Sequence, residues 1–271
     1  MSTSPHTIPP SPLRYLGGKS TLAPWLLQLF PSHSIYVEPF CGSAAVLLSK
    51  SPAPVEIIND VSGDIVNFFR VLRHPRLAKK LADLCALTPF AEEEFAAACL
   101  PRTRHPLERA RAFLFRTHAN FHPDLSKQSF RISACTAHVY SAEWHNVPAR
   151  LAPAAQRLKN CTISQRDFAE LLPRYDKPGA FIYCDPPYLP ETRSSSGKYA
   201  NELTVDRHRE LCNILASFKH ASWAISGYQN PLYDELLPWR DKHTCAASTT
   251  FHSARTEVLW TSYKSNTLFK L

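Results

Sequence analysis

This chain of 271 residues is predicted to adopt an α/β fold with a mostly parallel sheet covered by helices on both faces. Short apolar runs alternate with amphipathic helical segments up to about residue 75, and the alternation returns after residue 160. Between these points helical patterns dominate. We therefore expect two pieces of one sheet domain, 1–75 and 161–271, separated by a mostly helical inserted domain, 76–160.

The first piece contains two predicted strands, and each is followed by a helix. They lie in SIYVEPF and VEIIND, ahead of the helical segments SAAVLL and SGDIVNFFRVLRHP. An earlier helix is predicted from apolar residues at helical spacing, with a hydroxyl cap and a proline at its end. Its residues are Leu22, Trp25, Leu26 and Leu29, with Ser20 or Thr21 as cap and Pro31 as the end.

The remaining elements follow the same patterns. PFAEEEFAAACLP and HPLERARAFLFRTHANF are predicted helices of the insert, whereas SKQSFRISACTAHVYS suits a hairpin or a loop. Strands are predicted in CTIS, AFIYC, SWAISGY and EVLWTSYK, and helices in DFAELLPRY and LTVDRHRELCNILASF.

Composition excludes several classes of protein. Hydrophobic residues make up 44% and charged residues 20% of the chain, which is typical of a globular protein with a core. No apolar run is long enough to span a membrane, and the first residues lack the pattern of a secretion signal. The eight cysteines are widely spaced and form no CxxC, so we expect reduced cysteines, a cytoplasmic location, and neither a metal nor a membrane partner.

Positive charge is concentrated in the middle of the chain. The net charge is +8, and the segment 61–165 holds 15 Lys and Arg against 8 Asp and Glu. A localised basic segment is expected of a surface that binds a polyanion. A solvated helical surface with a chance charge bias is the alternative.

The stretch RYLGGKST, 14–21, resembles the end of a phosphate-binding loop. Such a loop requires a glycine at position 13, which is Leu13, and a preceding strand, where IPPSPLRY stands instead. Both conditions fail, so a nucleotide triphosphate site is not expected. The glycine pair still allows close backbone approach beside Lys19.

The strongest chemical signal is CDPPY, at the end of an apolar strand. Pro186 and Pro187 make the turn rigid, and ligands of open α/β sheets bind where strands end. Asp185 and the Pro186 carbonyl can accept both N–H bonds of an exocyclic amine, while Tyr188 can stack on the flat group that carries it. Holding both hydrogens favours a pyramidal nitrogen whose lone pair is free to attack.

Other acids also follow predicted strands, namely Glu38, Asp60 and Asp167. Asp60 lies 18 residues beyond Gly42, close to the spacing at which an acid binds ribose hydroxyls. The full glycine pattern for a pyrophosphate is absent. These features predict a ligand with a nucleoside and no pyrophosphate.

The motifs together resemble those of the Dam-type, or D12 class, DNA adenine-N6 methyltransferases. In chain order they are YLGGKS, VEPFCGSAAV, VEIINDVSGDIVNFF, QRDF and CDPPYLPETR. The resemblance covers about 13–75 and 160–262. It implies S-adenosylmethionine as cofactor, a Rossmann-like methyltransferase sheet, and double-stranded DNA with a short recognition site as partner.

The resemblance also assigns roles to residues. The expected cofactor-binding residues are Tyr15, Lys19, Pro39, Phe40, Gly42, Asp60, Asp167, Phe168 and Asp185. The expected catalytic turn is Asp185, Pro186, Pro187 and Tyr188, with the target adenine flipped out of the duplex. His252–Glu257 is expected to close over the site, without an assigned role.

The insert departs from the best-known pattern of the family, which leaves the target sequence open. Its candidate DNA contacts are Arg116, Asn120, Lys127 and Arg131, because such side chains pair with phosphates or base edges. Methylation of adenine in RNA or of the cytosine N4 amine remains an alternative, as does an inactive DNA-binding relative. Host defence, phage protection and regulation are equally open as biological roles.

Overall fold

A single sheet organises the protein in a computed structural model, with strand order β3-β2-β1-β4-β5-β7-β6. The structure describes residues 11–15, 17–100, 105–122, 125, 127–133, 139–192, 201–248 and 254–265, with the backbone alone at 190, 247, 248, 254 and 255. The strands are β1 (Ile35–Glu38), β2 (Val55–Asn59), β3 (Thr162–Ser164), β4 (Ala180–Cys184), β5 (Ser222–Tyr228), β6 (Asp241–Ser248) and β7 (Ala254–Thr261).

The strand order places a ligand crevice at the ends of β1 and β4. Strands β1 to β5 are parallel, and β7 runs antiparallel between β5 and β6. The order 3-2-1-4-5 is that of a Rossmann-like sheet, and it reverses between β1 and β4. Glu38 ends β1, and Asp185 directly follows β4, so both lie at this switch point.

Helices cover both faces of the sheet. They are α1 (Ala23–Leu29), α2 (Ala45–Ser49), α3 (Gly63–Arg73), α4 (Pro75–Leu87), α5 (Glu92–Cys99), α6 (Pro106–Ala119), α7 (Tyr140–His145), α8 (Val147–Arg157), α9 (Phe168–Leu171), α10 (Val205–Ser217) and α11 (Pro231–Leu236). Helices α1, α4, α6, α8 and α11 carry proline in their first turn. Proline suits that position, because its missing N–H would have no partner inside the helix.

The predicted Rossmann-like sheet is confirmed, with two local corrections. Helix α1 begins after Leu22 and has no side-chain cap, so the predicted caps Ser20 and Thr21 are wrong. Strand β6 was not predicted from the sequence. In the segment 126–141, predicted as a hairpin or loop, Phe130 forms an isolated bridge with Asn120 at the end of α6, and Tyr140 begins α7, whereas 126 and 134–138 lie outside the described residues.

Two hydrophobic clusters lie on the two faces of the sheet, because successive residues of each strand point to opposite sides. Tyr36 belongs to one cluster and its neighbour Val37 to the other. Helices of the middle segment share the first cluster with α1, α2 and α3. The boundaries 1–75, 76–160 and 161–271 stay a prediction.

The seven cysteines in the described part of the chain are free thiols, and five of them are buried. Within the same ranges, no helix combines the length and apolar character needed to cross a bilayer.

Candidate active site

A cavity of about 250 Å³ opens at the switch point of the sheet. Most of the predicted site residues line it: Tyr15, Lys19, Phe40, Gly42, Asp60, Asp167, Phe168, Asp185, Pro186 and Pro187. Pro39 and Tyr188 are not among the lining residues. The Pro39 carbonyl instead accepts a hydrogen bond from Asn59 Nδ2 at 2.9 Å, which ties the ends of β1 and β2 together.

Glycines and Tyr15 shape the wall of the cavity beside α1 and α2. Gly42 has φ +46°, a conformation that favours glycine, and a Cβ there would lie 3.4 Å from Tyr15 Cδ1. A Cβ on Gly18 would lie 3.1 Å from the Tyr15 carbonyl oxygen. These glycines therefore keep the backbone close around any bound group.

Asp60 is held in place at the end of β2 by two backbone amides. Its Oδ2 accepts from Gly42 N at 3.0 Å, and its Oδ1 accepts from Ser62 N at 2.9 Å. Burial raises the pKa of Asp60 to about 6, although both hydrogen bonds oppose that shift. Each carboxylate oxygen keeps a lone pair that can accept a hydrogen bond from a hydroxyl group.

Asp167 and Phe168 form a second wall of the cavity. Asp167 caps α9 by accepting from Ala169 N at 2.9 Å, and it also pairs with Arg207. The Arg207 guanidinium lies 4.3 Å from the centroid of the Phe168 ring. The centroid of the Phe40 ring lies 5.5 Å from that of Phe168. Arg207 lines the cavity, and the sequence carried no signal for this role, because an arginine in an amphipathic helix is ordinary.

Asp185 faces the cavity, where Lys19 pairs with it. The distance from Lys19 Nζ to Asp185 Oδ1 is 2.9 Å, and Lys19 also donates to the Gly17 carbonyl at 3.1 Å. Burial raises the pKa of Asp185 to about 6, the Lys19 charge opposes this rise, and the charge of Glu257 adds to it. The GGKS motif thus places its lysine beside the catalytic turn.

Tyr188 is turned away from this cavity. Its ring is 7% exposed, packs edge-on against Tyr228 at 4.8 Å, and has Lys19 Nζ 4.8 Å from its centroid. The hydroxyl donates to Glu257. Tyr188 borders a narrow surface cleft with Leu189, Thr192, Gly227 and Tyr228, among others, and this cleft is too small to admit a ligand.

Glu38 is a further acid of the site that sequence reasoning noted without assigning a role. It lines the cavity, is 3% exposed and accepts a hydrogen bond of 2.6 Å from the Tyr36 hydroxyl. Burial raises the pKa of Glu38 to about 7. A buried carboxylate at this position favours a positively charged ligand group.

Comparison with known proteins identifies the family. The sequence model described as D12 class N6 adenine-specific DNA methyltransferase matches residues 15–97 and 133–245. The chain belongs to this family. The activity of the family is methylation of adenine N6 in DNA, and S-adenosylmethionine is its methyl donor.

Two curated relatives of this chain are also named as methyltransferases. The DNA adenine methylase of Serratia marcescens is 22% identical over 216 residues, covering 74% of this chain and 76% of the relative. The type II methyltransferase M.MjaIII of Methanocaldococcus jannaschii is 24% identical over 219 residues, covering 68% and 71%.

A solved methyltransferase, SMU.472 complexed with SAH, superposes with a TM-score of 0.38 at 14% identity. The alignment covers 92% of this chain and 53% of that one, so the present chain spans about half its length.

The donor set of the cavity suits the methyl donor of the family. S-adenosylmethionine combines an adenosine with a cationic amino acid chain and contains no phosphate. The cavity offers the aromatic rings of Phe40 and Phe168 and the buried acids Asp60 and Glu38, which suit a ligand of this chemistry.

Two of the four predicted DNA contacts are buried and make internal hydrogen bonds, and their contact with DNA stays a prediction. Asn120 is 2% exposed and joins the Lys127 carbonyl to Ser129 N. Arg131 is 7% exposed, donates to the His118 carbonyl at 3.0 Å and pairs with Glu143. Asn120 thus bonds to backbone groups of residues 127 and 129, whereas Arg131 bonds to α6 and α7.

The other two predicted DNA contacts have side chains that are at least partly exposed to solvent. Arg116 pairs with Asp64 at 3.2 Å and has a side chain that is 19% exposed. Lys127 is exposed at the loop surface. Their contact with DNA stays a prediction.

Proposed function

We propose that this methyltransferase binds S-adenosylmethionine in the cavity at the ends of β1 and β4. Asp60 would accept the ribose hydroxyls, and Phe40 and Phe168 would enclose the adenine beside Asp167. Tyr15, Gly42 and Glu38 would surround the amino acid part. The lining of the cavity and the glycine at φ +46° support this arrangement.

The proposed chemistry takes place at the Asp-Pro-Pro-Tyr turn. When bound, S-adenosylmethionine supplies an electrophilic methyl carbon. The Asp185 carboxylate and the Pro186 carbonyl would accept both N–H bonds of the adenine amine, which orients the nitrogen lone pair. Lys19 holds the Asp185 carboxylate in place at 2.9 Å, so the acceptor needs little reorganisation.

The proposed substrate is double-stranded DNA carrying a short site, from which the target adenine is flipped outward. The basic segment 61–165, with exposed Lys127 and part-exposed Arg116, would bind phosphates or base edges. Tyr188, the last residue of the turn, would stack on the flipped base. We place the protein in the cytoplasm, in line with its free cysteines.

The observation that carries the proposal is Asp185 beside Lys19 at the cavity end of β4. Asp185→Ala removes the charged acceptor and should lower methyl transfer at least about 100-fold, with DNA affinity retained. Products are measured by nucleoside analysis, which separates N6-methyladenine from N4-methylcytosine. The control is Asp83→Ala, which removes an exposed carboxylate of α4.

Two results would contradict the proposal. One is near-normal methyl transfer by Asp185→Ala, and the other is a product other than N6-methyladenine. Saturable binding of S-adenosylmethionine, followed by calorimetry on the wild type, tests the cofactor site separately.

A further inference from the structure

A buried carboxylate beside the catalytic turn has no role in the function proposed above. Glu257 lies on β7 and is 3% exposed. Its backbone pairs with Tyr228 of β5 on one side and with Cys245 of β6 on the other. The position of Glu257 is therefore fixed by the sheet. A carboxylate is costly to bury unless other groups satisfy it, so its partners are informative.

The partners of Glu257 both belong to the active site. Its Oε1 accepts a hydrogen bond from the Tyr188 hydroxyl and lies 3.4 Å from Lys19 Nζ. Lys19 in turn lies 2.9 Å from Asp185 Oδ1. One lysine is thus shared between a carboxylate on the catalytic turn and a carboxylate on the sheet.

Tyr188 is restrained at both ends by these contacts. Its backbone follows two prolines, which limit the turn, and its hydroxyl is held by Glu257. The Lys19 ammonium and the centroid of the Tyr228 ring each lie 4.8 Å from the centroid of the Tyr188 ring. Since Tyr228 is the cross-strand neighbour of Glu257, one site in the sheet fixes both the hydroxyl and the ring.

We propose that Glu257 is a positioning residue for methyl transfer, which holds the Tyr188 hydroxyl and shares Lys19 with Asp185. The ring and the acceptor carboxylate then keep one placement relative to each other. This inference rests on the proposed roles of Asp185 and Tyr188. Misplacement of reacting groups by about 1 Å can cost about 100-fold in rate, so such a residue affects turnover without touching the base.

The test compares four variants at saturating DNA and S-adenosylmethionine. Glu257→Ala removes both contacts, whereas Glu257→Gln keeps an oxygen that can accept from Tyr188. Tyr188→Phe removes the hydroxyl alone, and the fourth variant combines Tyr188→Phe with Glu257→Ala. Thr261→Val is the control, because Thr261 is a fully buried polar residue on the same strand and lies outside the site.

The expected result is a fall in kcat of about 100-fold for Glu257→Ala, with KM for the cofactor changed less than about threefold. Tyr188→Phe should lower kcat about tenfold, and Glu257→Gln should recover to within about tenfold of the wild type. The double variant should be no slower than Glu257→Ala, since the hydroxyl acts through Glu257. Thr261→Val should change the melting temperature and leave kcat unchanged.

Two outcomes would overturn the inference. One is a kcat for Glu257→Ala within about threefold of the wild type, and the other is a double variant that shows the product of the two separate losses. If Glu257→Ala does not fold, Glu257→Gln and Tyr188→Phe decide alone: both with wild-type kcat refute the role, and reduced kcat at unchanged melting temperature supports it. A wild type without adenine methylation defeats the proposed function instead, so the two failures are distinguishable.

Discussion

Three carboxylates of the cavity are held in surroundings that disfavour their charged form. Burial raises the pKa of Glu38 to about 7 and those of Asp60 and Asp185 to about 6. Each group lies at the end of a strand and points into the same cavity. Clustered acids of this kind weaken the fold at neutral pH, which is typical of residues retained for ligand binding rather than for stability.

Glu38→Gln should therefore stabilise the protein without ligand at neutral pH and weaken cofactor binding. The carboxyl of Glu38 holds its proton more tightly in the folded chain, so its stabilising contribution is complete below about pH 4.5 and is lost as the pH rises through about 7. Because glutamine does not ionise, the variant avoids this loss of free energy of unfolding, which amounts to roughly 3 kcal/mol in the wild type. Urea unfolding at pH 5 and pH 8, with and without the substitution, measures the free energy of unfolding.

The difference in free energy of unfolding between Glu38→Gln and the wild type should grow between the two pH values. Glu93→Gln, at an exposed position of α5, is the control and should show no such growth. A difference that stays constant with pH would contradict the buried ionisation of Glu38. Isothermal titration with S-adenosylmethionine then measures the loss of affinity expected from removing the negative charge.

At the level of elements, a buried ion cluster connects α8 and the end of α2 to β2. Glu56 accepts from Lys50 at 2.8 Å, from Ala53 N at 3.0 Å and from the Arg157 guanidinium. Burial raises the pKa of Glu56, but the hydrogen bonds from Arg157 and Lys50 bring it below its usual value. The side chains of all three ionic partners are at most 10% exposed.

Removing the shared anion of this cluster should cost more stability than removing one cation. Glu56→Ala leaves two buried cations facing each other and should cost roughly 3–5 kcal/mol in free energy of unfolding. Arg157→Ala leaves the Lys50–Glu56 pair intact and should cost roughly 1–3 kcal/mol. Lys79→Ala, which breaks an exposed pair with Asp83, is the control and should cost about 0–1 kcal/mol in denaturant unfolding. The reverse order of the first two costs would contradict the shared-anion arrangement.

The elements also show which features a sequence reveals. All strands except β6 are predicted from the sequence, because they contain apolar or β-branched runs next to turn residues or acids. Strand β6 was missed, since DKHTCAAS at the sheet edge has neither an apolar run nor clear alternation. Its strand geometry depends on antiparallel pairing with the next strand, β7, and the residues of β6 alone carry no signal for that pairing.

The same limit applies to single side chains. The sequence identified Asn120 and Arg131 as polar residues of a basic segment, and only the fold shows that both are buried and hydrogen-bonded to backbone groups. The lining of the cavity was largely predicted, because its motifs lie at strand ends where parallel strands converge. Glu257 was expected near the site, but its contact with Tyr188 depends on the pairing of β5 with β7. His252 lies outside the described residues.

At the scale of the whole molecule, the helical middle segment and the sheet share one interior. Leu81 of α4, Phe115 of α6 and Leu151 of α8 belong to the same hydrophobic cluster as Tyr36 of β1 and Phe68 of α3. A separate domain would have a core of its own. The basic segment 61–165 is therefore attached to the sheet through packed side chains, which suits the proposal that this segment binds DNA in register with the cavity in the sheet.

Heating should accordingly unfold the protein in a single transition. If the middle segment and the sheet depend on one core, neither retains its packing once the other is lost, so the calorimetric and van't Hoff enthalpies should agree. S-adenosylmethionine at about 100 times its Kd should stabilise the whole protein by about 2.7 kcal/mol and shift the entire transition. Differential scanning calorimetry of the full chain, with and without the cofactor, measures both quantities. Two peaks, of which the cofactor moves only one, would mean that 76–160 is an independent folding unit, and DNA would then be held by a domain free to move relative to Asp185.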